Sequence, residues 1–189
     1  MQSLAPEMAD HMSTDSKARK KALIDIFDKD EAVALRGIEK LTDVGSPDVI
    51  KPLVEVHRGT ESDSIKARIE ALLNSLKAEG VVAPVVELLQ DEDFKESRRV
   101  LLAGLWNSGL FPSEHMDVIT ASAIEGDFLC AIEAVTVVEN MEPPFNADVV
   151  EEACFQVQIY LDQGIEEDKR DLLLSLQETL DSFRTQAAI

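Results

Sequence analysis

Basic side chains are scarce in this 189-residue sequence: 18 Lys and Arg stand against 37 Asp and Glu, a formal net charge of -19. The shortage is concentrated after residue 99, where 3 basic side chains face 17 acidic ones, whereas residues 1–99 hold 15 and 20. Nucleic-acid affinity rests on neutralising phosphates, and anionic lipid repels carboxylates, so neither a nucleic acid nor a membrane surface suits the second half. A basic protein partner fits it, as does plain solubility in a salty cytoplasm. Aromatics are few, 5% of the chain with one Trp and one Tyr, while hydrophobic residues reach 45%. The apolar mass is therefore Leu, Val, Ile and Ala, which suits helix-on-helix packing and is too large for a disordered chain.

Motifs that carry chemistry are missing too. The three histidines, His11, His57 and His115, have no second His at ligand spacing, and there is no HExxH, CxxC, GxSxG or glycine-rich phosphate loop. Zinc binding, nucleophilic catalysis and phosphate cradling each depend on such spacings. No catalytic residue, metal ligand or cofactor is assigned. The carboxylates at Glu151, Glu152 and Glu166 to Asp168 read as solvated groups complementing helix N-termini. Cys130 and Cys154 sit in apolar stretches and read as reduced, buried thiols, which predicts an intracellular, cytoplasmic protein. The opening residues contain no signal-peptide-like apolar region, and no run approaches the roughly 18 apolar residues that cross a bilayer.

What the chain does contain is one phrase repeated. "VALRGIEKLTDVG" (Val33 to Gly45) returns as "RIEALLNSLKAEG" (Arg68 to Gly80) and "SRRVLLAGLWNSG" (Ser97 to Gly109). Aligned on the final glycines, Leu41, Leu76 and Leu105 share a column, and so do Ile38, Leu73 and Leu102. Steps of three and four residues make one stripe of an α-helix. A fourth copy, Ala131 to Glu142, places Val135 and Val138 in those columns and is stopped by Pro143 and Pro144. An acidic turn precedes each copy, at Asp28 to Glu31, Glu61 to Ser64, Asp91 to Phe94 and Glu125 to Phe128, supplying caps for the helix that follows. Another apolar segment precedes each turn, with Pro52 standing over Pro84 and Glu55 over Glu87.

The unit is thus helix A, acidic turn, helix B. The pattern predicts A helices over 16–27, 46–58, 81–90, 113–124 and 146–163, and B helices over 30–43, 64–78, 94–107, 127–141 and 166–185. Residues 1–14 read as a loose tail and 15–189 as a single repeat domain, with 146–189 a divergent capping hairpin. In that last hairpin Leu172, Leu173, Leu176, Leu180 and Phe183 form the stripe, and the rest of the helix is polar. The fold expected is all-α, a solenoid of about five antiparallel hairpins, each covering its neighbour's apolar flank.

Asp63 with Arg68, Asp93 with Arg98, and the prolines Pro52 and Pro84 make the chain resemble HEAT-type α-solenoid repeats, with armadillo-like repeats as relatives. Repeat one lacks the proline, and repeat four lacks both proline and arginine. The resemblance implies a right-handed stack with a concave surface lined by the B helices. It also implies a scaffold or adaptor that binds proteins. A minority of the family are enzymes or cofactor-attachment chaperones, so a HEAT-type lyase or assembly chaperone holding a small organic ligand is the alternative.

Trp106, beside the buried stripe, is a candidate binding anchor, since Trp is enriched at hot spots; half-buried packing is the competing reading. Three further columns of helix B read as outward: Glu39, Asn74, Ala103 and Thr136; Lys40, Ser75, Gly104 and Val137; Asp43, Ala78, Asn107 and Asn140. Their small residues would let another chain approach, or let neighbouring helices pack tightly. The candidate partner-binding residues are Glu39, Lys40, Asn74, Ala103, Trp106, Asn107, Thr136 and Asn140. Arg98 and Arg99 read as intramolecular partners of the acidic turns.

Overall fold

A computed structural model of the chain describes residues 17–42, 47–76, 80–163 and 167–187. The expected tail, His11, Asp43, Gly45, Ala78 and Glu166 lie outside the described residues. Within them the structure is all-α. Ten helices follow one another: α1 (17–25), α2 (Glu31–Thr42), α3 (Ile50–Gly59), α4 (Asp63–Leu73), α5 (Val82–Gln90), α6 (Arg98–Asn107), α7 (Met116–Glu125), α8 (Phe128–Glu139), α9 (Ala147–Asp162) and α10 (Glu167–Ala187). Each expected A or B segment overlaps one of them, and α3, α4, α7 and α10 overrun the expected bounds by one or two residues. Short 3-10 turns at Pro47–Val49, Glu92–Ser97 and Ser113–His115 occupy stretches the periodicity assigned to helix starts.

The acidic turns cap. Asp30 Oδ1 accepts from Ala32 N at 2.9 Å, Asp91 Oδ1 from Asp93 N at 3.0 Å and Asp127 Oδ1 from Cys130 N at 2.8 Å. Ser62 Oγ accepts from Ile65 N at 3.3 Å. Each bond satisfies an N–H that the helix itself cannot. Pro52 and Pro84 are both third in their helices, within the first turn, where a missing N–H costs nothing. The phrase-ending glycine has a backbone cause at Gly109: φ is +69°, Gly109 N donates to Trp106 O at 3.0 Å and Leu110 N to Leu105 O at 2.9 Å. These two bonds close a Schellman turn, which favours glycine.

The chain divides into two compact units, one up to Leu72 and one from Leu73 onward. In the first, α1 and α2 pack so closely that a Cβ on Gly37 would lie 2.9 Å from the backbone N of Ile26. Ion pairs join Arg19 with Asp48, and Arg68 Nη2 with Glu39 Oε1 at 4.0 Å. His57 Nε2 lies 3.0 Å from Glu70 Oε1, tying α3 to α4.

In the second unit α7 packs on α9, α6 on α8 and α8 on α10, while α7–α8 and α9–α10 pair as hairpins. Helices α5, α7 and α9 form one layer and α6, α8 and α10 the other, the arrangement of stacked hairpins. The stripe residues Leu102, Leu105, Val135, Val138, Leu176 and Leu180 are buried between the layers. Each such side chain contributes about 1.5–3 kcal/mol, so the stripe holds the stack together.

Two residues expected to face outward do not. Val137 is fully buried, and a Cβ on Gly104 would meet Leu73 O at 3.1 Å. At Gly104 the small residue serves close helix approach. Lys169, expected on the polar face of the last helix, is also buried. Its Nζ donates to the carbonyl oxygens of Ile124 at 2.7 Å, Gly126 at 2.8 Å and Ala123 at 3.4 Å. It caps the C-terminus of α7 from α10, where a cation also complements the helix dipole.

Candidate functional site

Helix geometry puts Ala103, Trp106 and Asn107 on one flank of α6. On α8 the same spacing aligns Leu129, Ile132, Glu133, Thr136 and Asn140. The helices are neighbours, and one contact locks the two flanks together: Trp106 Nε1–H donates to Glu133 Oε2 at 2.6 Å. The indole is 37% exposed, so it is half-covered and its open part faces solvent. A charge-assisted bond of this kind fixes the ring's orientation.

The surface around the indole is polar along one edge and apolar along the other. Asn107 Nδ2 donates to Ala103 O, and Asn140 Nδ2 to Thr136 O, both at 2.8 Å. Thr136 Oγ1 bonds back to Ile132 O at 2.8 Å. These equivalent amides are thus folded onto their own helices. The apolar edge comes from Leu129 and Ile132, exposed by 50% and 36%. The repeat pattern did not single these out, because an apolar residue beside the stripe reads as core.

Of the eight candidate residues, Ala103, Trp106, Asn107, Thr136 and Asn140 form this face. Asn74, half-buried in the same unit, adjoins Leu73, whose carbonyl oxygen accepts from Ser108 Oγ of the turn after α6 at 3.1 Å. Glu39 and Lys40 are exposed on α2 of the first unit.

Three cations of the second unit are engaged within it. Arg98 is buried: Nε donates to Leu89 O at 3.0 Å, Nη1 to Glu125 Oε2 at 2.7 Å and Nη2 to Glu92 Oε1 at 3.0 Å. Arg184 joins Glu151 at 2.8 Å and Asp181 at 3.0 Å. Lys169 is likewise committed, to backbone carbonyls at the end of α7. Arg99 is exposed and lines a cleft of about 520 Å³ together with Lys95, Glu96 and the turn residues Glu92 and Asp127.

Both cysteines are buried and unbridged. Burial, with the Asp127 carboxylate adding to it, pushes the Cys130 thiol up to about 11. Burial also raises the Cys154 thiol. Neither thiol is poised as a nucleophile at neutral pH. Among the described residues no group of three or more His, Cys, Asp or Glu is placed to hold a metal ion, and no helix is long and apolar enough to cross a membrane. Comparison with family models, curated proteins and solved structures finds no match.

Proposed function

We propose that this chain is a HEAT-like helical-repeat scaffold, without catalytic activity, that binds a protein or peptide along the α6–α8 face. The observation that carries the reading is Trp106, half-exposed and pinned by Glu133 beside exposed Leu129 and Ile132. A rigid aromatic anchor next to an apolar patch loses little entropy on binding, and such residues dominate interface energies. Recognition is by shape: the two helices present a fixed ridge, and Asn107, Thr136 and Asn140 border it with side chains already oriented. The surrounding carboxylates steer a basic partner, speeding encounter more than they tighten the complex.

Capture of interacting proteins by the immobilised full-length chain, beside Trp106→Ala and Ile132→Ser, tests this. The native chain should retain a partner that both variants lose and that added salt weakens. Equal recovery by all three forms would remove this face from consideration. Circular dichroism of the variants should match the native chain, since both side chains are partly exposed.

A further inference from the structure

The other layer of the second unit carries its own unfilled groove. It runs between α7 and α9, with Ala121 and Ile124 on one wall and Phe155, Ile159 and Tyr160 on the other, and encloses about 390 Å³. Phe155 is 59% exposed and Ile159 38%, and their four-residue spacing puts them on one flank of α9. The stack does not require this apolar exposure. Aligned so that the buried Met116, Ile119, Thr120 and Ala123 of α7 fall on the buried Val150, Ala153, Cys154 and Val157 of α9, Phe155 stands where α7 has Ala121, and Ile159 where α7 has Glu125. The adjacent cleft by α5 and α7 has no exposed aromatic: Leu89, Val118 and Ala121 share its lining with polar side chains that include Glu92, Arg98 and Asp117.

The charged side chains that line the groove are of one sign. Glu125 and Glu152 line it, and no Lys or Arg does. Two cations lie close by, both committed: Arg98 bonds Glu125 at 2.7 Å, and Lys169, 5.3 Å from the Tyr160 ring centroid, spends its ammonium on the carbonyl oxygens of α7 and Gly126. Glu125 keeps 52% of its side chain exposed despite its bond to Arg98.

We propose that this groove is a second docking site, which takes a cationic amphipathic helix: large apolar side chains on one flank fill the space beside Phe155 and Ile159, and flanking Lys or Arg meet Glu125 and Glu152. This is the helix-in-groove mode of recognition. A second copy of the chain is a poor occupant, because it brings the same carboxylates and a net charge of -19 to the contact. Anionic lipid is repelled for the same reason. The inference does not rest on the α6–α8 reading.

The test is a titration of the isotope-labelled full chain with a synthetic helix carrying Leu at i, i+3, i+4 and i+7 and Lys elsewhere. A control helix replaces every Lys with Glu. The expected result is saturable binding at low salt, with amide shifts centred on Ala121, Phe155 and Ile159. Phe155→Ser should weaken it about tenfold or more, as should the charge reversal Glu152→Lys, and Trp106→Ala should leave it unchanged. Four results would overturn the proposal. The Lys helix could fail to bind, the Glu helix could bind as well, or Trp106→Ala alone could weaken binding, which assigns the helix to the α6–α8 face. Lastly, sedimentation could show a native dimer that Phe155→Ser converts to monomer, which assigns the groove to a second copy.

Discussion

Arg98 shows how much one side chain organises. Its guanidinium joins the last turn of α5, the 3-10 turn before α6 and the end of α7 through three donors. The fork geometry matters as much as the charge, because its nitrogens reach acceptors on three separate elements, whereas an ammonium is a single point that serves only acceptors clustered around it. Arg98→Met should cost about 1–3 kcal/mol in urea denaturation, and Arg98→Lys should recover only part of that. Full recovery by lysine would mean that charge alone matters. The acidic turns made this role legible from sequence, since Glu92 stands six residues before Arg98 and Glu125 opens the next turn. Lys169 was illegible: its acceptors are backbone carbonyls of a distant helix, and no residue type marks a carbonyl as exposed.

Cys130 gives a pH prediction. The folded chain holds the thiol neutral up to about 11, against an ordinary value of 9.0. Below pH 9 neither state ionises, so stability is unaffected. Between about pH 9 and 11 the unfolded chain loses the proton first, and stability falls by about 2–3 kcal/mol. Urea denaturation at pH 8 and pH 11, compared with the same difference for Cys130→Ala, isolates this contribution. An equal alkaline loss in both proteins would show that the thiol is not its source.

At the scale of elements, periodicity located the helices well because each one's apolar stripe is buried by a neighbour. It was less informative about flanks. Leu129, Ile132, Phe155 and Ile159 lie next to buried positions, and a sequence cannot say where one helix's cover ends. The same limit applied to Gly104 and Val137, which sit at the edge of the stripe and turn inward. Helix ends were legible where the cap is local, as at Asp127 and Gly109. Gly109→Ala should lower stability by about 1–2 kcal/mol, because an L side chain at φ +69° is strained even though nothing lies within 4 Å of the added Cβ. Thermal denaturation checks it, and an unchanged melting temperature would mean that the turn relaxes to another geometry. Lys169→Met should speed amide hydrogen exchange in the last turn of α7 more than in α8. Uniform acceleration across the unit would contradict a local capping role.

For the whole molecule, the decisive quantity is the excess of carboxylates. Like charges destabilise the compact state, and salt shortens their reach from about 30 Å at 0.01 M to about 3 Å at 1 M. The melting temperature should therefore rise by roughly 4 °C or more between those concentrations, about 1–2 kcal/mol at this size. A flat or falling profile would show that the internal pairs of Arg98, Arg184 and Lys169 matter more than the repulsion. The charge excess was legible from composition alone. Which carboxylates Arg98 and Arg184 engage was not, because that depends on how the helices pack.

The clasp made by Lys169 also has a consequence in time. Its acceptor carbonyls lie 46, 45 and 43 residues earlier in the chain. A ribosome adding about 5–20 residues per second needs roughly 2–9 seconds to cover that interval. During each round of synthesis the end of α7 therefore waits, bare, for a partner not yet translated.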